Sequence, residues 1–437
     1  MNKFVSRLLT PTGVLVAFVF LLPWQTRYIF GLSALSGSFT SFGSISVYAT
    51  QLFLLLGLAC VYYLRGLPAI APCYRHSVIL GTAIILVTVI ASGLAAQSIP
   101  ALAALIDLSA AGLAFIALLD KRVNIHWVMS AYVAGLLIPV GLGLVQVFFG
   151  ETGASTVLGL AARDAERLGD AVVMLADSER MLRAYGTFPH PNNFGGYLAV
   201  GVLTTLALPF TGARKARTIS AVVLVIGLVL TASRSALLGL ILGAGLTMFV
   251  LYLKNTDLAR KLIMPIAISV VGLALAVTLF APSLAAALRG GGALEDRSLT
   301  ERLDQYREWP ATMQGLDWLL GNGPRSYVFT LASLHPDRGL WEYQPIHNVP
   351  LLVVSELGLL GLVVLVAWII TLDQANFARF PRSDAAYAHG LGKVLFVIIF
   401  FDHYLWSSWS GLVLVAYVGG LMLRLGEDQL LGVDTPA

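Results

Sequence analysis

Apolar runs of about twenty residues, divided by short polar stretches, recur along nearly the whole chain. A membrane-crossing helix needs about 20 mostly apolar residues. The pattern predicts twelve such spans: 10–30, 46–64, 77–96, 99–119, 126–149, 193–211, 218–232, 235–253, 262–281, 347–371, 388–405 and 409–424. Two of them, 218–232 and 409–424, are short for a full crossing. The seventh and eighth are divided only by Ser233 and Arg234, which predicts a tight hairpin. The expected fold is an all-α integral membrane protein. About five helices fall in 1–150, about four in 193–281 and about three in 347–437, with long outer loops at 151–192 and 282–346. In the larger loop Leu303, Tyr306, Trp309 and Met313 recur at helical spacing, so it is expected to be partly helical. Within it Gly290-Gly291-Gly292 reads as a hinge and Gly321-Asn322-Gly323-Pro324 as a turn. There is no internal repeat.

Composition sharpens this picture. The chain of 437 residues is 57% hydrophobic and 12% charged, with mean hydropathy +0.81. Soluble domains carry about 25% charged residues, so a soluble class is excluded. Cys60 and Cys73 fit neither a disulfide framework nor a zinc spacing and read as structural. Lys3 and Arg7 before the apolar run could imitate a signal peptide, but Pro23-Trp24-Gln25 follows where a cleavage site would be, so an uncleaved first helix is expected.

Charge placement sets the expected orientation. With the N-terminus inside, every short inside loop is basic, including Arg65 with Arg75, Lys121 with Arg122 and Arg214 with Lys215 and Arg217. All six Lys fall inside. The twelve basic residues left on the outer face are all Arg, among them Arg183, Arg234, Arg297, Arg302, Arg307 and Arg325. Arg presents a planar fork that grips phosphate with two hydrogen bonds, where Lys is a point charge.

Three polar-to-apolar boundaries carry candidate chemistry. The first runs from Arg183 through Tyr185-Gly186-Thr187-Phe188-Pro189-His190-Pro191-Asn192. Its glycine and prolines fix a bent entry, and its Asn residues are suited to capping the next helix. The second is Ser233-Arg234-Ser235, where a lone Arg at the hydrocarbon edge is either a snorkelling side chain or a functional one. The third is His347-Asn348, where an imidazole able to act as a general base opens a long apolar run. Glu356 lies nine residues on, about 13 Å deeper and about 180° around the helix, so it reads as a buried structural acid. Asp107 and the pair Asp402-His403, both inside predicted spans, are expected to be packing partners or proton sites. No P-loop, dinucleotide fingerprint or metal-ligand cluster is present in the sequence, and no nucleic-acid partner is expected.

These boundaries resemble the bacterial O-antigen ligase and O-antigen polymerase superfamily. The matching residues are Arg183 with Gly186 to Asn192, Ala232 to Ser235, Leu319 to Pro324, and His347-Asn348 through Glu356-Leu357-Gly358-Leu359-Leu360-Gly361, in the family's order across about 180–370. The resemblance implies about twelve helices in the inner membrane and a large periplasmic loop before a catalytic His. It also implies an undecaprenyl-pyrophosphate-linked glycan donor and no cofactor or metal. Arg183 and Arg234 would hold the pyrophosphate, and His347 would assist attack by the acceptor. His190, Asn192, Arg302, Arg307, Arg325 and Asn348 are the expected substrate-binding residues. The acceptor would be a second glycan, lipid A core or a protein, and the sequence leaves these open.

The alternative class is a polytopic transporter or flippase of lipid-linked glycans, which would also have about twelve spans and intramembrane charges. Transporters commonly show repeats and midplane sites. Here no repeat is visible, and the candidate residues gather at one face.

Overall fold

A computed structural model describes residues 9–35, 38–95, 98–174, 180–208, 214–254, 293–377 and 383–425. The predicted ninth span and the Gly290-Gly291-Gly292 run lie outside the described residues, as does the side chain of Arg297. The chain is a mostly helical membrane protein. Five described helices are long and apolar enough to cross a membrane: Pro72–Leu94, Ser98–Leu118, Ile125–Phe149, Arg234–Leu253 and Val349–Ala375.

The main helices are α1 (Pro11–Leu21), α2 (Ala49–Arg65), α3 (Arg75–Leu94), α4 (Ser98–Leu118), α5 (Ile125–Phe149), α6 (Pro191–Ala207), α7 (Arg214–Leu230) and α8 (Arg234–Lys254). After the second long stretch, which contributes α9 (Ala293–Glu308), α10 (Asp317–Leu320) and α11 (Tyr327–Leu334), come α12 (Val349–Phe377), α13 (Ser383–Ile398), α14 (Tyr404–Ser407) and α15 (Trp409–Arg424).

The expected all-α fold is modified in two places. The run 10–30 is not one helix: α1 ends at Leu21, because Pro23 has no N–H to continue the ladder. The chain then forms an antiparallel hairpin, Arg27–Leu35 with Ser38–Tyr48, paired from Arg27 with Tyr48. The β-prone residues Tyr28, Ile29 and Phe30 favour that conformation. The stretch 151–192 also contains two small antiparallel pairs, Glu151–Thr152 with Arg163–Asp164 and Val172–Met174 with Arg180–Leu182.

The core is built around α6, which is buried along nearly its whole length. It packs on α7, α8 and α13. Between α8 and α13 small residues let the backbones touch: a Cβ on Gly243 would sit 2.5 Å from the Gly390 carbonyl oxygen, and Thr247 donates to the Ala386 carbonyl over 3.2 Å. Without a hydrophobic force between helices in lipid, such close packing is a main source of association. At one end of the bundle Arg122 donates to Asp120 and to the Arg65 carbonyl, and Arg424 donates to the carbonyls of Leu118, Asp120 and Val123. Those guanidiniums satisfy carbonyls that helix ends leave free.

α12 is broken at Gly358, whose φ is 69° and ψ −174°. The break removes the ladder partners of the Ser355 and Glu356 carbonyls. The turn after α10 replaces them: the N–H groups of Asn322 and Gly323 donate to these two oxygens over 2.8 and 3.1 Å. Contact is so close that a Cβ on Gly321 would overlap the Glu356 carbonyl, and one on Gly358 the Leu319 carbonyl. The Trp309 indole adds a bond to Ser355 Oγ at 2.7 Å. A paired ion bridge, Arg338 with Glu308 at 2.8 and 2.5 Å, closes the segment on the end of α9 and holds the Glu308 carboxyl below its ordinary range. The stretch 293–346 is thereby fastened to the first half of α12.

Gly358→Ala should therefore cost on the order of 3 kcal/mol, from left-handed strain plus overlap with backbone. Gly93→Ala, with nothing within 4 Å of the new methyl, should be neutral or slightly stabilising. Thermal midpoints in detergent measure both, and equal midpoints would refute the packing account.

Candidate functional site

The end of the bundle opposite Arg122 and Arg424 gathers the polar boundaries of the sequence. α15 runs between these two ends, from the Asp402–Ser408 segment to Arg424. The entry to α6 is held by Gln146 of α5, whose carboxamide accepts from the N–H groups of Tyr185 and Gly186 over 2.9 Å and donates to the Gly186 carbonyl. Gly186 supplies the left-handed turn, with φ 56°. This clamp lays Arg183 against the α7–α8 hairpin, where its Nε donates to the Thr231 carbonyl at 2.7 Å. The hairpin turns through Ala232 at φ 48°, and α8 starts at Arg234.

A chain of hydrogen bonds then crosses the site. Arg183 Nη2 donates to Asn192 Oδ1 at 2.7 Å, and Asn192 Nδ2 donates to Asp402 Oδ2 at 2.6 Å. Asp402 Oδ1 accepts from the His403 N–H at 2.8 Å, and His403 Nδ1 meets Ser407 Oγ at 2.7 Å. The His403 ring stands edge to face with His347, with centroids 5.1 Å apart. His190 caps α6 through Nδ1, which accepts from the Asn192 N–H at 3.1 Å. Its ring lies within electrostatic reach of Arg183, Asp402, His403 and His347.

Three guanidiniums share this region. Arg183 feels both Arg234 and Arg302, and Arg302 also acts on His347 and His403. Burial, and then the neighbouring guanidiniums, lower Arg183 to about 10, so it stays cationic at neutral pH. Burial, and then His403, push the His347 imidazole down to about 3, so it is neutral at physiological pH. Among the described residues Arg234 has no hydrogen bond or ion pair, and its side chain is exposed. Among the described groups that act on Arg183 and His347, the guanidiniums outnumber the carboxylate of Asp402, which leaves this region positive and able to take an anion.

The sequence-derived candidates therefore divide. Arg183, His190, Asn192, Arg302 and His347 come together, with Arg234 beside Arg183. Three others serve elsewhere. Arg325 is turned into the bundle, where it pairs with Asp107 at 2.5 Å and Asp107 also accepts from Gln51 at 2.7 Å. Arg307 lies about 140° around α9 from Arg302, exposed and paired with Asp304 at 3.2 Å. Asn348 caps α12, accepting from the Leu351 N–H at 3.1 Å. Glu356 is buried and accepts from the Trp406 indole at 2.8 Å.

Asp402 and His403 correct the sequence reading in the other direction. The predicted span 388–405 hid them in the membrane, but α13 ends at Ile398 and they sit on the turn that follows. The signal was present as a polar doublet followed by Ser407-Ser408. Gln305 was also missed; it lies on the α9 face of Arg302, three residues on, and its Oε1 is 3.0 Å from His347 Nδ1.

Residues 219–366 match the family model described as O-antigen ligase. The match supports a relationship of that segment to the O-antigen ligase and polymerase superfamily. No curated protein matches the chain. The O-antigen ligase segment contains Arg234, Arg302 and His347. Arg183, Asn192 and Asp402 lie outside it and are brought in by the hydrogen bonds above.

Removing the Asn192 carboxamide strands a guanidinium nitrogen and a carboxylate oxygen. Asn192→Ala should lower stability by about 1–3 kcal/mol. A double-mutant cycle with Asp402→Ala should show coupling of about 1 kcal/mol or more. Additive losses in thermal melts would show that the link carries no energy.

Proposed function

We propose that the protein is a metal-independent membrane glycosyltransferase that moves a glycan from an undecaprenyl-pyrophosphate donor to an acceptor at the periplasmic face of the inner membrane. The observation that carries this reading is Arg234, which among the described residues has no hydrogen-bond or ion-pair partner, within electrostatic reach of Arg183, which also feels Arg302, at the same end of the bundle as a neutral imidazole. Pyrophosphate needs cations with hydrogen-bonding forks, and Arg supplies them. The cluster of Arg65, Arg122 and Arg424 at the end opposite the site supports assigning that basic end to the cytoplasm. Twelve spans, with the stretches 151–192 and 282–346 outside, accord with that orientation.

In this reading Arg183, Arg234 and Arg302 hold the donor's phosphates. An acceptor hydroxyl attacks the anomeric carbon of the lipid-linked sugar. Its proton passes to the His347 imidazole as the new glycosidic bond forms. The bond from the anomeric carbon to the phosphate oxygen breaks, and the electron pair leaves with the pyrophosphate. The guanidiniums stabilise the charge that develops there. The His then supplies general-base help of about 10²–10⁴-fold. Asn192 and Asp402 fix Arg183, and α9 closes over the base. A second glycan, lipid A core and protein are all acceptors this chemistry accommodates.

The test is purified protein with a lipid-linked glycan and competing acceptors. A new glycosidic product supports the proposal, whereas movement across a bilayer without product would identify a transporter. Arg234→Lys should reduce turnover at least about tenfold although the charge is kept, because the fork is lost. Turnover near wild type in that variant would reduce Arg234 to a snorkelling role.

His347→Ala should insert normally and lose up to about 10⁴-fold in transfer. With the imidazole pushed down to about 3, the base form is populated at all higher pH. The His347 contribution to kcat/KM should therefore be flat from about pH 8 down to about pH 5, falling only near the low pKa of the free enzyme. A loss centred between about pH 6 and 7 that disappears in a His347 variant with residual activity would refute the assignment. EDTA should leave the rate unchanged.

A further inference from the structure

The carboxamide oxygen of Gln305 meets two nitrogens of one residue. The backbone N–H of His347 donates to Oε1 over 3.3 Å, and the imidazole Nδ1 stands 3.0 Å from the same atom. A backbone N–H is always a donor. The atom it meets is therefore the carbonyl oxygen of Gln305 and not its amide nitrogen, which fixes the orientation of the carboxamide. That oxygen has no proton to give to the ring. Nδ1 of the neutral imidazole must carry the hydrogen, and the lone pair lies at Nε2.

We propose that Gln305 is a positioning residue that locks His347 in the Nδ1–H tautomer and so makes Nε2 the atom that receives the acceptor's proton. This rests on the reading of His347 as general base. The groups around the imidazole leave Gln305 its role. His403 stands edge to face, but its Nδ1 is engaged with Ser407. Asp402 is engaged with Asn192 and the His403 N–H. Arg302 and His190 act through space. Gln305 comes from α9, outside the helix that His347 precedes, so the base has a defined proton acceptor only while α9 is docked on α12. A docked Trp309, bonded to Ser355 Oγ of α12, keeps α9 in place.

The proposal is tested by ¹⁵N-histidine NMR of the full-length protein, with the His347 signal identified by its absence in His347→Ala, alongside kinetics. The wild type should show a protonated Nδ1 and a bare Nε2 at neutral pH. Gln305→Ala should lose that preference and lower kcat about 10–100-fold, the scale of a misplaced catalytic group, with the donor KM changed less than about twofold. Gln305→Glu keeps an acceptor at the same place. It should recover kcat to within a few-fold at neutral pH and move the acidic limb of kcat/KM upward by about 1–2 pH units, because a carboxylate favours the imidazolium. A wild-type His347 protonated at Nε2 would overturn the proposal, as would Gln305→Ala with kcat within about threefold of wild type. If instead His347→Ala keeps its transfer activity, the general-base reading fails, while the NMR result still decides the tautomer.

Discussion

A carbonyl oxygen freed by a broken helix has to find a donor, and in a lipid surrounding it cannot find water. Gly358 breaks α12 and frees two such oxygens, on Ser355 and Glu356. The turn at 321–323 supplies the N–H groups. That exchange sets where the stretch 293–346 sits, because the same turn leads back through Met313 and Trp309 to α9. The position of α9 in turn sets the positions of Arg302 and Gln305 relative to His347. The geometry around the imidazole is thus a consequence of backbone bookkeeping about ten residues away along α12.

The second organising element is the imbalance of charge. Arg183, Arg234 and Arg302 outnumber the carboxylate of Asp402, and Asp402 is already committed to Asn192 and His403. Asn192 separates Arg183 from Asp402, so the two are not a contact ion pair. A direct pair would neutralise the guanidinium; the bridged arrangement orients it and leaves one edge of its fork for a ligand. Burial around His347 works alongside this. It keeps the imidazole neutral next to cations that would otherwise have to be balanced.

Much of this was legible in the sequence. Arg183, Arg234 and His347 each stand where a polar stretch meets an apolar run, and hydropathy alone finds such boundaries. The placement of Asn192 followed from its position after two prolines. Hydropathy could not find the break at Gly358, because apolar residues continue on both sides and the glycine differs from Gly361 only in its tertiary surroundings. The same limit put Asp402 and His403 inside a span: Ile399 to Phe401 stay apolar after the helix has ended. Arg325 misled in the opposite sense. Its outer-loop position resembles that of Arg302, but its partner Asp107 is 218 residues away in sequence, and local pattern carries no record of that pairing. Arg307 fell for a simpler reason, since charge counting ignores the face of the helix.

The broken helix also bears on how the protein is made. The segment carrying α9 to α11 leaves the ribosome before α12, and its turn has no carbonyls to bind until α12 arrives. The first half of α12, for its part, would enter lipid with two bare carbonyls, each costing several kcal/mol. Neither piece is stable in its final place without the other. Membrane insertion of α12 and folding of the preceding segment should therefore be a single cooperative event, and the chain acquires its imidazole site only when that late step is complete.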